Sequence, residues 1–462
     1  MPVNSFADYY LSWKPEKAAL RRPYYLSIAE KLEADILNGK LPPDTKLPPQ
    51  RELADYLDLN FTTVTRAYKI CENKNLIYGV KGSGTFVQPS AILPLLNSRE
   101  TFAGRGIEMG LIASFEECNE MVVPALRRAV KRNYLEHMLS YDDPTGMPHQ
   151  KAAALNWMSR FGLRAGEEQV VIASGTLNAI TLALLALFEP GERIAVDRFV
   201  YNNFIDLAKL LHLQLLPVAG DGLGMLPREL DYLCRHSRVR GIFLMPSCCN
   251  PTTVFTPMAR KEELAAVIKK HGLILLEDDI YAFITAGIIP GYGLPLRELL
   301  PEQTLYLCGT SKSLCSGLRV AYIVFPPLFR ERLYRALFNI NVKTSSLDAE
   351  VVTELIRSNE TEGIIRRKMA LAQEAGRIFS RYFPHAQNGH PFSFFRWLPL
   401  PDDKSPEETE AELLKEGVRV FHSGRFSCGK NDGGGFLRLS LASAASMREL
   451  EEGLRIIAAY MR

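Results

Sequence analysis

Six short apolar runs that alternate with helical stretches dominate the C-terminal part of the 462-residue chain. Runs of this length, bounded by polar and turn residues, are typical of fully buried strands. Their alternation with helices favours an α/β domain with a mostly parallel central sheet. In such sheets ligands bind at the carboxyl ends of the strands, so the polar residues that follow each run form the candidate site. The runs read QVVIAS, RIAVD, GIFLMPS, LILLED, TLYLCG and RVAYIV.

The N-terminal part has a different pattern. Apolar residues on one face predict a helix from Tyr25 to the loop NGKLPPDTKLPP, whose glycine and prolines cannot continue it. QRELADYL predicts a short second helix, and Asn60 is a suitable N-cap for a third helix from Phe61 to about Asn75. The segments LIYGV, KGSG and TFV predict a strand, a turn and a strand. A helix-turn-helix followed by such a wing is typical of DNA-binding domains.

The chain is therefore divided into four segments. Its length alone predicts more than one domain. We predict an N-terminal extension over residues 1–22, a winged helix-turn-helix domain over 23–88, a linker over 89–105 and the α/β domain over 106–462.

Positive charge is concentrated where the third helix and the wing would meet a duplex. The whole chain carries a formal net charge of only +3, from 55 Lys and Arg against 52 Asp and Glu, so any nucleic-acid signal must be local. In the third helix Val64, Ala67, Tyr68 and Cys71 form a core stripe. The opposite face carries hydrogen-bonding side chains, and from Phe61 to Gly84 the bases outnumber the acids. These residues are Thr62, Arg66, Lys69 and Asn73, with the further bases Lys74 and Lys81 against the single acid Glu72.

The motifs KLPPQRELADYLDLNFTTVTRAY and LIYGVKGSGTFV resemble the GntR-type winged-helix regulators of bacteria over residues 23–88. The resemblance implies double-stranded operator DNA as a partner. At Phe61 many relatives have an arginine, so the resemblance implies an altered DNA sequence preference. The implied DNA contacts are Arg51, Thr62, Thr63, Arg66, Lys81, Gly82 and Ser83, with the wing reaching to Gly84.

The chain has the composition of a cytoplasmic protein. Its start lacks an apolar core behind a basic head, and its longest apolar run, AITLALLALF, is too short to span a bilayer. The 8 cysteines are scattered without paired C-x-x-C spacing, which predicts reduced thiols and no metal site. We expect no association with membranes.

The polar residues that follow the apolar runs form a chemical set. Each of them alone could be a turn residue or a satisfied core group. Together they supply an amine for a Schiff base, a carboxylate for a protonated ring nitrogen, phenol and amide donors, and a phosphate cradle at a helix N-terminus. Pyridoxal 5'-phosphate needs such a set. The residues are Ser174, Gly175, Thr176, Tyr201, Asn250, Asp278, Asp279, Tyr281, Ser311, Lys312 and Arg319.

The order and spacing of these residues resemble the fold-type-I aminotransferases over residues 106–462, and the whole chain resembles the MocR subfamily of GntR regulators. The resemblance implies that Lys312 forms the Schiff base with the cofactor. Either Asp278 or Asp279 would pair with the ring nitrogen, with Asp278 preferred by its spacing to Tyr281. The other implied roles are phosphate binding by Arg319, Gly175 and Thr176, ring stacking by Tyr201, and hydrogen bonds to the phenolic oxygen from Asn250 and Tyr281.

Two further residues have roles implied only by the resemblance. Arg438, in GGGFLRLSLA, would bind an effector carboxylate with its guanidinium fork, although a strand-edge position is an alternative. Tyr141, in SYDDPTG, would reach the phosphate of the neighbouring subunit and implies a homodimer.

Two positions depart from the family pattern. Gly309 stands where the family often has a serine, so Ser311 or Thr310 would have to supply that hydroxyl. Thr253 stands where the family's Asn-Pro-Thr-Gly turn has glycine, which predicts a tighter loop.

The fusion favours a transcription regulator. Its aminotransferase-like domain would sense an amino compound, or the cofactor itself, through aldimine exchange at Lys312. An active aminotransferase that carries a DNA-binding domain is the alternative, and a DNA-binding protein with a cofactor-free scaffold is a third.

Overall fold

The computed structural model describes residues 11–37, 40–42, 45–74, 76–80, 84–88, 106–141, 143–386, 389–429 and 434–461. The chain forms two units, Met1–Arg105 and Gly106–Arg462. The predicted linker lies outside the described residues, and the four predicted segment bounds stay predictions.

The first unit is built from three helices and a hairpin. The core stripe predicted for the third helix is buried, with Val64, Ala67 and Cys71 at 0% exposure. The Asn60 side chain caps this helix by accepting from the Thr62 amide at 2.9 Å. The elements are α1 (Tyr24–Leu37), α2 (Gln50–Leu57), α3 (Phe61–Asn73), β1 (Ile77–Val80) and β2 (Gly84–Val87), and β1 pairs antiparallel with β2.

A seven-stranded sheet forms the centre of the second unit, in the order β4-β12-β11-β10-β9-β5-β6. All pairs are parallel except those of β12, which runs antiparallel to both of its neighbours. The six predicted apolar runs provide six of the strands, which confirms the α/β fold class. The strands are β4 (Val170–Ala173), β5 (Arg193–Asp197), β6 (Gln214–Val218), β9 (Gly241–Leu244), β10 (Ile274–Asp278), β11 (Thr304–Gly309) and β12 (Ala321–Val324).

The seventh strand, β6, escapes prediction because it is half exposed and contains Pro217. Proline cannot donate to a sheet ladder and is tolerated at an edge, where β6 lies.

Helices cover the central sheet, and a smaller antiparallel sheet, in the order β13-β16-β15, carries Arg438. The small strands are β3 (Ile107–Glu108), β7 (Gly220–Asp221), β8 (Gly224–Met225), β13 (Phe395–Pro399), β14 (Val418–Arg419), β15 (Phe421–His422) and β16 (Phe436–Ser440). The helices are α4 (Val123–Ala129), α5 (Leu135–Met138), α6 (Pro148–Ser159), α7 (Thr176–Leu187), α8 (Asn202–Leu210), α9 (Pro227–His236), α10 (Met258–His271), α11 (Ala282–Thr285), α12 (Leu296–Leu299), α13 (Arg330–Ile340), α14 (Ser346–Arg357), α15 (Glu360–Tyr382), α16 (Pro406–Lys415) and α17 (Met447–Tyr460). None of the described helices is long and apolar enough to cross a bilayer.

Candidate cofactor site and DNA-binding face

Lys312 lies in a loop that hydrogen bonds hold on two sides. The loop follows β11, and both the amide and the hydroxyl of Thr310 donate to the carbonyl of Val320, at 3.1 and 2.8 Å. The buried Lys368 ammonium, on α15, donates to the carbonyls of Lys312 and Leu314 at 3.1 and 2.8 Å. The backbone around Lys312 is therefore fixed before any ligand binds.

The Lys312 amine is unusually easy to deprotonate. Burial, and after it the positive charges of Arg438, Lys368 and Arg319, lower its pKa to about 7. Its Nζ donates to the carbonyl of Ile112. A substantial fraction of the amine is thus neutral at neutral pH, and the neutral form is the nucleophile.

An anion cradle lies at the N-terminus of α7. Gly175 has a φ of 89°, and a Cβ at this position would lie 2.4 Å from Nη2 of Arg319. Nη1 of Arg319 donates to Oγ of Ser311 at 3.0 Å. Only glycine leaves room for a guanidinium against this helix end, where free amides and the helix dipole also attract anions.

The hydroxyl beside Gly309 comes from Thr176. A Cβ on Gly309 would lie 2.0 Å from Oγ1 of Thr176, which is buried and without a hydrogen-bond partner among the described residues. The hydroxyl of Thr310 is committed to the backbone, and that of Ser311 to Arg319. Glycine at position 309 is therefore a packing requirement of Thr176.

Ser174 lies just before the cradle but belongs to a side-chain network. Its Oγ lies 3.2 Å from Oγ1 of Thr344 and accepts from Nδ2 of Asn341 at 3.3 Å. This network fixes the start of α7.

The two neighbouring aspartates after β10 have different surroundings. Asp279 accepts hydrogen bonds from the hydroxyls of Ser247, Tyr292 (3.3 Å) and Tyr306 (3.0 Å). Oδ1 of Asp278 is buried and has no partner in the described part of the chain. Burial raises the pKa of Asp278 to about 7. Asp278 is therefore the carboxylate with a free oxygen for a ligand.

Two phenols and a guanidinium complete the site. Burial raises the pKa of Tyr201 to about 12 and that of Tyr281 well above its usual value, and Asp278 and Arg438 interact electrostatically with both. The Tyr281 hydroxyl is buried without a partner among the described residues. Nη1 of Arg438 donates to Oδ1 of Asn250 at 3.0 Å, and its Nη2 donates to the carbonyl of Gly110.

Arg438 is 3% exposed. Burial lowers the pKa of this guanidinium to about 10, and its Nε has no partner among the described residues. Among the residues predicted for this site, the fold gathers the cradle, Tyr201, Asn250, Asp278, Tyr281, Lys312 and Arg438 around the carboxyl ends of the strands.

The predicted DNA-binding face is exposed on α3. The Arg66 guanidinium stacks over the Tyr25 ring, with its carbon 4.1 Å from the ring centroid. Arg51 lies 5.6 Å from the centroid of Phe61, which is 42% exposed. A groove of about 520 Å³ lies between α3 and the hairpin. Among its lining residues are Phe61, Thr62, Thr65, Arg66, Lys69 and Thr85.

Not all of the predicted DNA contacts can be placed. Thr62 and Thr63 lie in the first turn of α3, and Arg51 lies in the first turn of α2. Lys81, Gly82 and Ser83 lie outside the described residues.

Comparison with known proteins accounts for both units. The model of the gntR family of bacterial regulatory proteins matches residues 24–87, and that of aminotransferase class I and II matches residues 114–457. The HTH-type transcriptional regulator YdeF of Bacillus subtilis is 36% identical over 99% of this chain and 98% of its own length. The chain is a GntR-family regulator of the MocR type.

Two further known proteins are similar to most of the chain. The probable rhizopine catabolism regulatory protein MocR of Rhizobium meliloti is 27% identical over 77% of this chain and 76% of its own. The solved structure of LysN, an α-aminoadipate aminotransferase of Thermus thermophilus complexed with N-(5'-phosphopyridoxyl)-L-leucine, superposes with a TM-score of 0.70. LysN is 24% identical, and the match covers 80% of this chain and 96% of LysN.

This MocR-type regulator keeps a left-handed backbone at a turn where it has a threonine. Thr253 is fully buried with a φ of 62°, a conformation that is rare for β-branched residues. Its Oγ1 occupies the space that a Cβ of Gly389 would fill, at 1.9 Å. The turn therefore retains the glycine-like conformation at a cost in backbone strain.

Tyr141 is not brought to the site of its own chain, because its side chain is 81% exposed. Lys368 was not predicted from the sequence as a buried residue. It lies in the charged stretch RRKMA, which is typical of a solvated helix face, and only the packing of α15 against the Lys312 loop shows that it is buried.

Proposed function

We propose that this regulator binds pyridoxal 5'-phosphate at Lys312 and uses it to sense a small amino compound, or the cofactor itself, so that DNA binding by α3 responds. The observation that carries the proposal is an electrostatic connection between the Lys312 amine and two complementary groups, since Arg319 lowers the pKa of Lys312 and Tyr201 interacts with both Arg319 and Asp278. One is the Gly175–Arg319 anion cradle, and the other is the Asp278 carboxylate oxygen that lacks a partner among the described residues.

The residues present fit the cofactor. Three buried polar atoms, on Thr176, Asp278 and Tyr281, have no partner in the described part of the chain. Buried polar atoms are rarely left unpaired in a folded protein, so a ligand with complementary groups at these places is expected. The phosphate would lie in the cradle, the ring nitrogen at Asp278, and the phenolic oxygen at Asn250 and Tyr281.

Bound pyridoxal phosphate supplies an aldehyde that condenses reversibly with primary amines, and a ring that withdraws electrons. The chain's own residues set the conditions for this chemistry. Lys312 offers a partly neutral amine, Asp278 would hold the proton on the ring nitrogen, and Tyr201 would cover the ring face. An effector amine that displaces Lys312 would place its carboxylate at Arg438, whose Nε is available.

The test is the visible absorption spectrum of the purified protein before and after addition of a panel of amino acids and amines. We expect a visible absorption band in the wild-type protein that is absent in Lys312→Ala. One class of amine should shift this band, and the shift should persist. The same amine should change affinity for, or protection of, the operator in a footprinting assay. The proposal fails if the wild-type protein carries no such band, or if effector and cofactor leave DNA binding and transcription unchanged.

The second candidate function is transamination. It is favoured by the guanidinium of Arg438 beside Asn250 and by the lowered pKa of Lys312, which suits a group that moves a proton at the reacting carbon. Bleaching of the band by an amino acid and its return with a 2-oxo acid, with sustained turnover, would establish this activity. A single half-reaction without turnover would favour the sensor.

We also propose a homodimer that acts in the cytoplasm. Support for the dimer comes from exposed apolar side chains on and around α4, where an isolated subunit would present them to water. These are Met121 (38%), Val123 (40%), Leu126 (41%), Val130 (45%), Leu139 (75%) and Tyr141 (81%). All eight cysteines are free thiols, as expected in a reducing compartment. A dimer would present two winged helices to repeated or inverted half-sites.

A further inference from the structure

A cavity lined by three arginines lies beside α15 and β13. It has a volume of about 690 Å³, within the range of small-molecule sites. None of the residues that we assign to the Lys312 site lines it. Its lining includes Gly376, Arg377, Phe379, Arg381, Pro391 and Arg396.

Arg396 is the buried group of this cavity. The residue is 9% exposed, and burial lowers its pKa to about 10. Its Nη1 donates to the carbonyls of Ser393 and Phe395, both at 3.0 Å. In the described part of the chain no carboxylate lies within salt-bridge distance of it, so a buried positive charge remains without a counter-ion. Burial of an uncompensated charge is costly, and an anionic ligand would remove that cost.

The backbone of α15 makes room for this guanidinium. A Cβ on Gly376 would lie 2.9 Å from Nη2 of Arg396. Glycine inside a helix is less favourable than alanine, so its presence here calls for a packing reason. The space that it leaves is taken by the second fork nitrogen of Arg396, a residue that lines the cavity.

Two further arginines on α15 stand at the rim. Arg377 is exposed, and among the described residues it has no ion-pair partner. Arg381 is paired with Glu451 at 3.1 Å, and its side chain is 61% exposed. Such an exposed pair is weak enough for a ligand to compete with it. The rings of Phe379 and Pro391 provide an apolar wall.

We propose that this cavity is a second effector site that binds a small dianion, bearing either a phosphate group or two carboxylates, between Arg396 and Arg377. A guanidinium fork matches both groups bidentately, and two or three arginines balance a double negative charge. The site is separate from cofactor binding at Lys312 and does not depend on it.

The test is isothermal titration calorimetry of the full-length protein with three probes: inorganic phosphate, phenyl phosphate and succinate. Arg377→Gln removes a cation at the rim of the cavity that pairs with no carboxylate in the described part of the chain. Arg366→Gln is the matched control, because Arg366 lies on the same helix, is 76% exposed and lines no part of the cavity. The measurements are repeated in an Arg319→Gln background, which removes the phosphate cradle beside Lys312.

We expect Arg377→Gln to weaken binding of one probe class about tenfold or more, the usual effect of losing a charge-assisted hydrogen bond. Arg366→Gln should change it less than twofold. A response to the phosphates alone identifies a phosphate site, and a response to succinate identifies a dicarboxylate site. Arg396→Lys, which keeps the charge but loses the fork, should weaken the same probe. The proposal is overturned if no probe distinguishes Arg377→Gln from Arg366→Gln.

Discussion

At the scale of single residues, Lys312 is a partly neutral amine near pH 7 because burial and three nearby cations disfavour its charged form. For a lysine with a lowered pKa, the neutral fraction rises as the pH passes about 7 and is nearly complete by about 8. We therefore expect the rate at which pyridoxal phosphate attaches to the apo-protein to rise through this window and then level off. Stopped-flow absorbance in the visible band measures it, with Lys312→Ala as the blank. A rate that continues to rise to pH 10 would show that the amine has an ordinary pKa.

The packing of Gly309 against Thr176 gives a second prediction at the scale of single residues. Gly309→Ser would place its Cβ 2.0 Å from Oγ1 of Thr176, so we expect destabilisation of about 1–3 kcal/mol, as for other overpacked cores. Thr176→Ala removes the obstructing hydroxyl, so the double variant should recover at least half of this loss. Urea unfolding of the four apo-proteins provides the double-mutant cycle. Additive effects of the two changes would mean that the two side chains do not compete for one space.

The residues of the candidate cofactor site show what can and cannot be predicted from sequence. The order of motifs placed Lys312, Arg319 and Asn250 near the strand ends, because chain order and strand direction determine which ends meet. The role of Arg438 was implied only by the family resemblance. Spacing preferred Asp278 over Asp279, but the difference between them depends on the hydroxyls around Asp279, which come from three distant segments. Such contacts leave no local trace in the sequence.

At the scale of elements, the buried Lys368 connects α15 to the Lys312 loop through hydrogen bonds to two loop carbonyls. Lys368→Met keeps the length of the side chain but removes the donors to two carbonyls and one of the charges that lower the pKa of Lys312. We expect the pH midpoint of cofactor attachment to move upward and cofactor dissociation to accelerate about tenfold. Stopped-flow pH profiles of wild type and variant measure the first effect. If the midpoint is unchanged and only the thermal stability falls, the role of Lys368 is in packing alone.

The recognition helix α3 is the second element with a measurable role. The Arg66 guanidinium lies over Tyr25 and is exposed, so it can turn toward a duplex at little cost. We expect Arg66→Ala to weaken binding to an operator selected from random DNA by about 1–3 kcal/mol, and wild-type affinity to fall steeply with salt.

Fluorescence anisotropy at several salt concentrations makes this comparison. Arg228→Ala removes one exposed charge from the other unit, where Arg228 is 79% exposed, and is the matched control. Equal losses in both variants, or salt-insensitive binding, would contradict a DNA contact by α3.

A strand could be predicted from the sequence when nearly all of its residues are buried. The six strands with apolar runs are buried along most or all of their length and were found, whereas the half-exposed β6 was not. α2 agrees with its prediction at both ends, and α3 ends two residues before its predicted terminus. The start of a helix can be predicted from the local sequence when a side chain caps it. The edge of a strand cannot, because it depends on neighbouring strands that lie far away in the chain.

At the scale of the whole molecule, the exposure of Tyr141 raises the question of which subunit it serves. Tyr141 is 81% exposed and neighbours exposed apolar side chains around α4, which supports its proposed role at the phosphate of the partner subunit. Tyr141→Phe removes one hydrogen bond to a charged group, so we expect cofactor retention to fall about tenfold.

A hybrid dimer distinguishes the two possible assignments of Tyr141. Subunits with Lys312→Ala and subunits with Tyr141→Phe are coexpressed with different tags, and the mixed dimers are purified. If Tyr141 acts across the interface, one site of each hybrid combines both defects, and the other has an intact Lys312 and an intact Tyr141. Half of the sites should then hold pyridoxal phosphate with wild-type affinity in equilibrium dialysis. If Tyr141 serves its own chain, the lysine-bearing site carries the Tyr141→Phe defect and no wild-type site exists. Failure to obtain any dimer would contradict the homodimer itself, since the apolar surface around α4 would then have no second copy to cover it.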